Sequence, residues 1–241
     1  MENKEMLFNP EQLISKKILL WDLDGTAFSA ANKLHDAVTE IGFREIYGVE
    51  ARKNDVVTDG MTDKQLIIEV LKLHGLTKEQ VEARFIEMIN VMNENFLRQI
   101  KPGDYIPLPG VKELATAIRA QGTPNGILTG NPEIIAWEKL RVAGIKDLFD
   151  FGAFGDSTDK RVELVTEAKR KIDTKFGINY PMTNFVILGD TPKDIACARD
   201  AGIPVVAVSS GRYTFEQLKQ EKPDLLVPSL TETAKILKFI S

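Results

Sequence analysis

The sequence predicts an α/β protein: a parallel sheet between helices, with an all-helical stretch inserted after the first strand. Three observations carry this. Short apolar runs without polar alternation recur ("KILLWD", "NGILTG", "FDFGAFG", "NFVILGD", "IPVVAV"), as in strands covered on both faces by helices. Helical patterns that end at a glycine follow several of these runs. Between Ala30 and about Pro102, strand signals vanish and helical periods take over.

Taken in order, the run Lys17–Asp22 is the first strand. Leu34, Val38 and Ile41 then mark one helix, and Leu66, Ile67, Val70 and Leu71 another. Val81, Phe85, Met88, Met92 and Phe96 mark a third, across "TKEQVEARFIEMINVMNENFLRQI", with Thr77 placed to cap it. This stripe, methionines included, reads as helix packing. "KPGDYIPLPG" reads as a return linker. The helices of the second half are "PGVKELATAIRAQG", bracketed by Pro109 and Gly122, then "NPEIIAWEKLRVAG" and "TPKDIACARDAG". The expected division is an α/β core over 1–29 and 103–241 and a helical insertion over 30–102.

Composition narrows the function. At 241 residues and 43% hydrophobic content the chain can bury a sizeable core. The single cysteine, Cys197, leaves no intrachain disulfide and no cysteine-rich zinc site; it reads as packing, and it fits a reducing, cytoplasmic setting. The amino-terminal segment lacks the apolar stretch of a secretory signal, and no run reaches membrane-spanning length. A formal charge of −4, with Lys and Arg scattered, argues against nucleic acid as a partner. The chain is expected to be a monomer or homodimer.

The chemistry gathers at predicted strand ends, which converge on one edge of an open parallel sheet. After the first strand come Asp22, Asp24, Gly25 and Thr26; after the second, Thr129, Gly130 and Asn131; after the fourth, Gly189, Asp190, Thr191 and Asp194. The third is followed by Lys160 and Arg161. Two carboxylates as close as Asp22 and Asp24 repel unless a cation or shared proton lies between them. Several carboxylates, a hydroxyl and one or two cations suit Mg²⁺ and a phosphoryl group. Asp22 can then attack phosphorus, while Asp24, projecting to the same side of an extended chain, hands a proton to the leaving oxygen. Gly25 allows a sharp turn that brings backbone N–H groups near the phosphate. Thr129, with Lys160 or Arg161, would hold the remaining oxygens. His35 and His74 read as surface or core residues, and Trp21 as packing beneath the site.

In order and spacing, "DLDGT", "ILTGN", "DKRVEL" and "GDTPKD" resemble the four motifs of the haloacid dehalogenase (HAD) superfamily, and the flanking sequence looks like its phosphatase branch. The resemblance implies a Rossmann-like core, Asp22 as nucleophile and Asp24 as acid/base. It implies Mg²⁺ held by Asp22, the backbone carbonyl of Asp24 and Asp190, with Asp194 supporting through water or directly, and Thr129 and Arg161 on phosphate. The insertion sits where one branch carries a helical cap that selects substrate. Gly60–Lys64, with Met61 and Thr62, looks like the substrate-facing loop of phosphoglycolate phosphatases, which often have Arg where Met61 stands. Its loss removes a guanidinium suited to a substrate carboxylate. The leading expectation is a Mg²⁺-dependent phosphomonoesterase. A β-phosphoglucomutase-type mutase and a non-catalytic phosphate-ester-binding protein are the alternatives, with Thr26 leaning against the mutase.

Overall fold

A computed structural model describes residues 8–58 and 60–241. The first seven residues of the amino-terminal segment, and Asp59 just before the Gly60–Lys64 loop, lie outside the described residues. In chain order the first half contains α1 (Pro10–Leu13), β1 (Ile18–Trp21), β2 (Phe28–Ala30), α2 (Leu34–Tyr47), α3 (Asp63–Leu73), α4 (Lys78–Ala83), α5 (Phe85–Gln99) and β3 (Tyr105–Pro107). The second contains α6 (Val111–Ala120), β4 (Gly126–Thr129), α7 (Glu133–Val142), β5 (Phe151–Phe154), α8 (Glu163–Phe176), β6 (Phe185–Gly189), α9 (Pro192–Ala201), β7 (Val205–Val208), α10 (Phe215–Gln220), β8 (Leu225–Val227) and α11 (Thr233–Ile240).

Six strands form one parallel sheet in the order β5-β4-β1-β6-β7-β8. Because successive side chains of a strand point to opposite faces, the sheet feeds two cores. Leu19 and Trp21 of β1 pack with Leu114 and Ile118 of α6, Ile135 and Leu140 of α7, and Ile236 of α11. Ile18 and Leu20 pack on the other side with Leu164 and Ile172 of α8 and with Ile195 and Cys197 of α9. The strands are apolar throughout because both faces are covered. Trp21 is fully buried, donating from Nε1 to Asn125 Oδ1 at 3.1 Å and meeting Phe149 edge-on.

β1 lies between β4 and β6; the chain after β1 leads to β4 on one side, whereas the chain after β6 leads to β7 on the other. This switch point opens a crevice at the carboxyl ends of the strands. The helices α2 to α5 stand over that end. Their apolar faces share a cluster that includes Val38, Phe43, Leu66, Val70, Met88, Met92 and Phe96, so the methionine stripe is packing.

The structure differs from the sequence reading in three places. The third helix of the insertion is two: Thr77 caps α4 through a reciprocal bond with Gln80, but the chain breaks at Arg84 (φ −120°, ψ 11°), whose guanidinium bonds Ile46 O and Glu87. The return linker contains β3, which pairs antiparallel with β2. A sixth parallel strand, β8, extends the sheet beyond β7.

Two backbone bonds seat α3 on the sheet's edge: Asp63 N donates to Gly130 O (2.8 Å) and Lys64 N to Gly155 O (3.0 Å). Gly130 leaves room for this approach, since a Cβ there would run into the Met61 carbonyl oxygen.

Candidate active site

A cavity of about 370 Å³ lies at the carboxyl ends of β1, β4 and β6. Its floor carries Asp22, Asp24, Gly25, Thr129, Gly130, Asn131, Arg161 and Asp190; the helical stretch contributes Lys33, His35, Lys53, Met61 and Asp63.

Asp22, Asp190 and Asp194 are buried, and each offers an oxygen within 4.8 Å of the others. Burial pushes Asp22 up to about 7, with Asp194 adding to the rise and Arg161 opposing it. Asp190 is pushed up to about 8 by burial, then by Asp22 and Asp194. Such a cluster is stable only with protons or a cation. Three hard oxygen donors at this spacing fit a divalent cation such as Mg²⁺.

Arg161 is 8% exposed and spans this cluster: Nη2 donates to Asp22 Oδ1 at 2.8 Å and to Asp194 Oδ1 at 2.6 Å, while Nη1 reaches Gly60 O at 3.4 Å. Burial works against its charge, but Asp194 and Asp22 outweigh this and hold it charged. Asp194 also completes the cap of α9, its Oδ2 accepting from Thr191 N (3.1 Å) and Oγ1 (2.7 Å). Pro192 begins that helix, where a missing N–H costs nothing.

Gly25 is required twice over: its φ is +88°, and a Cβ would stand 2.5 Å from Asp190 Oδ2. Thr26, fully buried, donates to Asp190 Oδ1 at 2.8 Å, so it props the acid instead of lining the cavity.

Asp24 faces the cavity with 46% of its side chain exposed. Asn131 Nδ2 donates to its Oδ2 at 2.7 Å and to Thr129 Oγ1 at 2.6 Å; Lys139 Nζ lies 3.0 Å from both Asp24 oxygens. Enclosure pushes the carboxyl up, but Lys139, then His35 and Asn131, outweigh it and hold it below the usual carboxylate range.

Most of the residues singled out in the sequence meet here; Asp194 lies fully buried behind the cavity lining, and three others do not reach it. Besides Thr26, Thr62 is buried as the cap of α3, accepting from Gln65 N. Lys160 points to solvent, its side chain 68% exposed and paired with Glu163. Of the two cations left open by spacing, only Arg161 lines the cavity. Sequence reasoning passed over Lys139 and Lys53, named Asp63 only as part of the Gly60–Lys64 loop, and took His35 for a surface or core residue. Lys139 had a signal: Ile135, Ala136 and Leu140 share the buried face of α7, and position 139 falls on it. His74 is an outlying pair with Asp55.

Among the described residues no helix is long and apolar enough to cross a membrane. Comparison with known proteins agrees with the fold. The chain is 26% identical over 243 residues to a phosphoglycolate phosphatase of Nitrosospira multiformis, spanning 92% of this chain and 96% of that one. It is 29% identical over 129 residues to a phosphoglycolate phosphatase of Neisseria meningitidis, where the match spans 52% of this chain and 54% of the relative. Among the first curated relatives matched, the chain thus spans from about half to nearly all of the relative's length. A crystal structure of a hydrolase from Pseudomonas syringae superposes with a TM-score of 0.66 at 18% identity, covering 94% of this chain and 100% of that one. The haloacid dehalogenase-like hydrolase family matches residues 19–208, most of the chain and all the strand ends that build the cavity, so this protein belongs to that family of hydrolases.

Proposed function

We propose that the protein is a Mg²⁺-dependent phosphomonoesterase that hydrolyses a small phosphorylated metabolite through an aspartyl-phosphate on Asp22. The observation that carries this reading is Arg161 bridging Asp22 and Asp194 on the floor of a cavity that Asp24 also faces. A carboxylate is thereby aimed at a space where a phosphoryl group would find a cation, with a second carboxyl in reach of the leaving oxygen.

Asp22, Asp190 and the backbone carbonyl of Asp24 would hold Mg²⁺, with Asp194 in support. When bound, the ion would keep Asp22 ionised and neutralise phosphoryl charge. In the first step an Asp22 oxygen bonds to phosphorus as the ester P–O bond breaks, and Asp24, ionised in the free protein, passes to the departing alkoxide the proton it takes up when a monoanionic ester binds. In the second, Asp24 takes a proton from water as the water oxygen attacks phosphorus, releasing phosphate and restoring Asp22. Thr129, Gly130 and Asn131 border the phosphate side, and Arg161 counters the charge that builds on the transferring group.

Residues 30–102 act in this reading as a cap, with 1–29 and 103–241 as the catalytic core. Met61 presents no charge to the cavity, so the reading stops at a small phosphorylated metabolite of the cytoplasm and does not extend to phosphoglycolate. A panel of phosphorylated metabolites assayed with Mg²⁺ tests it: turnover of at least one, abolished by chelation and by Asp22→Asn, is expected. Activity that survives both would remove the assignment.

A further inference from the structure

Lys139 is a lysine placed as a core residue. It sits on the apolar face of α7 with 1% of its side chain exposed. Nζ donates to both Asp24 oxygens at 3.0 Å and to Asn131 Oδ1 at 2.6 Å, and it stands over the Tyr105 ring at 5.1 Å. Removing a lysine from water this completely is costly unless every direction offers a partner. Packing alone would be served by leucine or methionine at that position.

The remaining partner comes from α2. His35 Nδ1 lies 3.3 Å from Lys139 Nζ, and His35 Nε2 lies 2.7 Å from Asp63 Oδ2. Burial holds the His35 ring neutral, outweighing the attraction of Asp63 for a second proton. One ring proton must then serve two contacts. Asp63 can only accept and Lys139 Nζ donates, so the proton sits on Nε2 and the Nδ1 lone pair receives Lys139. The chain of contacts Asp24–Lys139–His35–Asp63 therefore has a single consistent direction. It ends on the first residue of α3, whose backbone N–H is the one bonded to Gly130 O.

We propose that Lys139 is a positioning residue: it fixes the orientation of the Asp24 carboxyl group and makes that orientation depend on the seating of α2 and α3 over the cavity. The proposal rests on the reading of Asp24 as proton donor to the leaving oxygen. Lys139 spans both oxygens of Asp24, whereas Asn131 holds only Oδ2. Without Lys139 the carboxyl group is free to turn about a single remaining bond, and proton delivery depends on distance and angle. Were α2 to lift, His35 would withdraw the acceptor that faces Lys139 from the far side. The acid would then be aimed only when the cavity is covered.

The test is the dependence of kcat/KM on leaving group, which reports phosphoryl transfer up to the first irreversible step. Wild type, Lys139→Met, His35→Leu and Asp24→Asn are assayed with Mg²⁺ on 4-nitrophenyl phosphate, whose leaving group departs without a proton, and on an alkyl phosphate taken from the active members of the panel. Lys139→Met is expected to lose about ten- to a hundred-fold on the alkyl ester, within the range of general acid catalysis, and less than about three-fold on the aryl ester. His35→Leu should show the same split at smaller size. Equal losses on both esters, or none, while Asp24→Asn shows the split, would overturn the proposal and leave the reading of Asp24 standing. Equal losses on both esters in Asp24→Asn would overturn that reading, and the proposal with it. Should Lys139→Met fail to fold by circular dichroism, His35→Leu decides by the same criterion.

Discussion

Arg161 Nη2 lies 2.8 Å from Asp22 Oδ1, with both side chains buried, and the same nitrogen serves Asp194 at 2.6 Å. One guanidinium thus carries the counter-charge for two acids of the cluster. Removing it leaves two buried acids uncompensated. Arg161→Met is expected to cost roughly 3 kcal/mol of unfolding free energy without metal, the scale for breaking a buried pair. Urea denaturation at pH 8 measures this, and added Mg²⁺ should recover part of the loss.

Protons and metal compete for the acidic cluster. Asp22 and Asp190 titrate in the folded protein at about 7 and about 8, each raised first by burial, against about 4 when unfolded. A raised carboxylate contributes stability that is full below its unfolded value and is lost as pH rises through its folded one. Metal-free protein should therefore lose stability between about pH 4 and pH 8, over the interval those values set. Mg²⁺ should raise the melting temperature more at pH 8 than at pH 6. Calorimetry in buffers of different ionisation enthalpy should detect protons released on Mg²⁺ binding at pH 7.

Gly25→Ala would force a side chain into a positive-φ turn and against Asp190. About 1–3 kcal/mol of strain is expected, with Asp190 displaced from the cluster. Thermal unfolding with and without Mg²⁺ distinguishes the two effects, because displacement also shrinks the metal-induced shift.

The cap side of the cavity titrates in the opposite sense. Burial alone would raise Asp63, but His35 and Lys53 outweigh it and hold the carboxyl at about 2. A depressed carboxylate contributes stability that is present above its unfolded value, about 4, and lost as pH falls through its folded one. Asp63→Asn should be less stable than wild type at neutral pH. The gap in melting temperature should narrow as pH falls from about 4 towards about 2.

Five of the six parallel strands were legible because both faces are covered, which writes each as an unbroken apolar run. Leu225–Val227 escaped because it is three residues long at the sheet edge and runs straight into Pro228. The break at Arg84 left no Gly or Pro to mark it; its cause is tertiary, a guanidinium turned back to Ile46 O. Asp22, Asp24, Thr129 and Asp190 were legible as polar clusters at strand ends, since topology alone brings those ends together. Lys139 was not, because a lysine within a helix reads as solvated until the packing of α7 beneath Tyr105 and Phe28 is known; His35 read as a surface or core residue, and Asp63 only as part of the Gly60–Lys64 loop.

The central claim, that Asp22 carries the phosphoryl group, is tested most directly by trapping. Enzyme turning over an active phosphate ester with Mg²⁺ is quenched and reduced with borohydride, which converts an aspartyl-phosphate to homoserine, and its peptides are read by mass spectrometry. The account predicts homoserine at position 22, dependent on both substrate and Mg²⁺. Sustained turnover with Asp22 unmodified, or with the label on another residue, would contradict it.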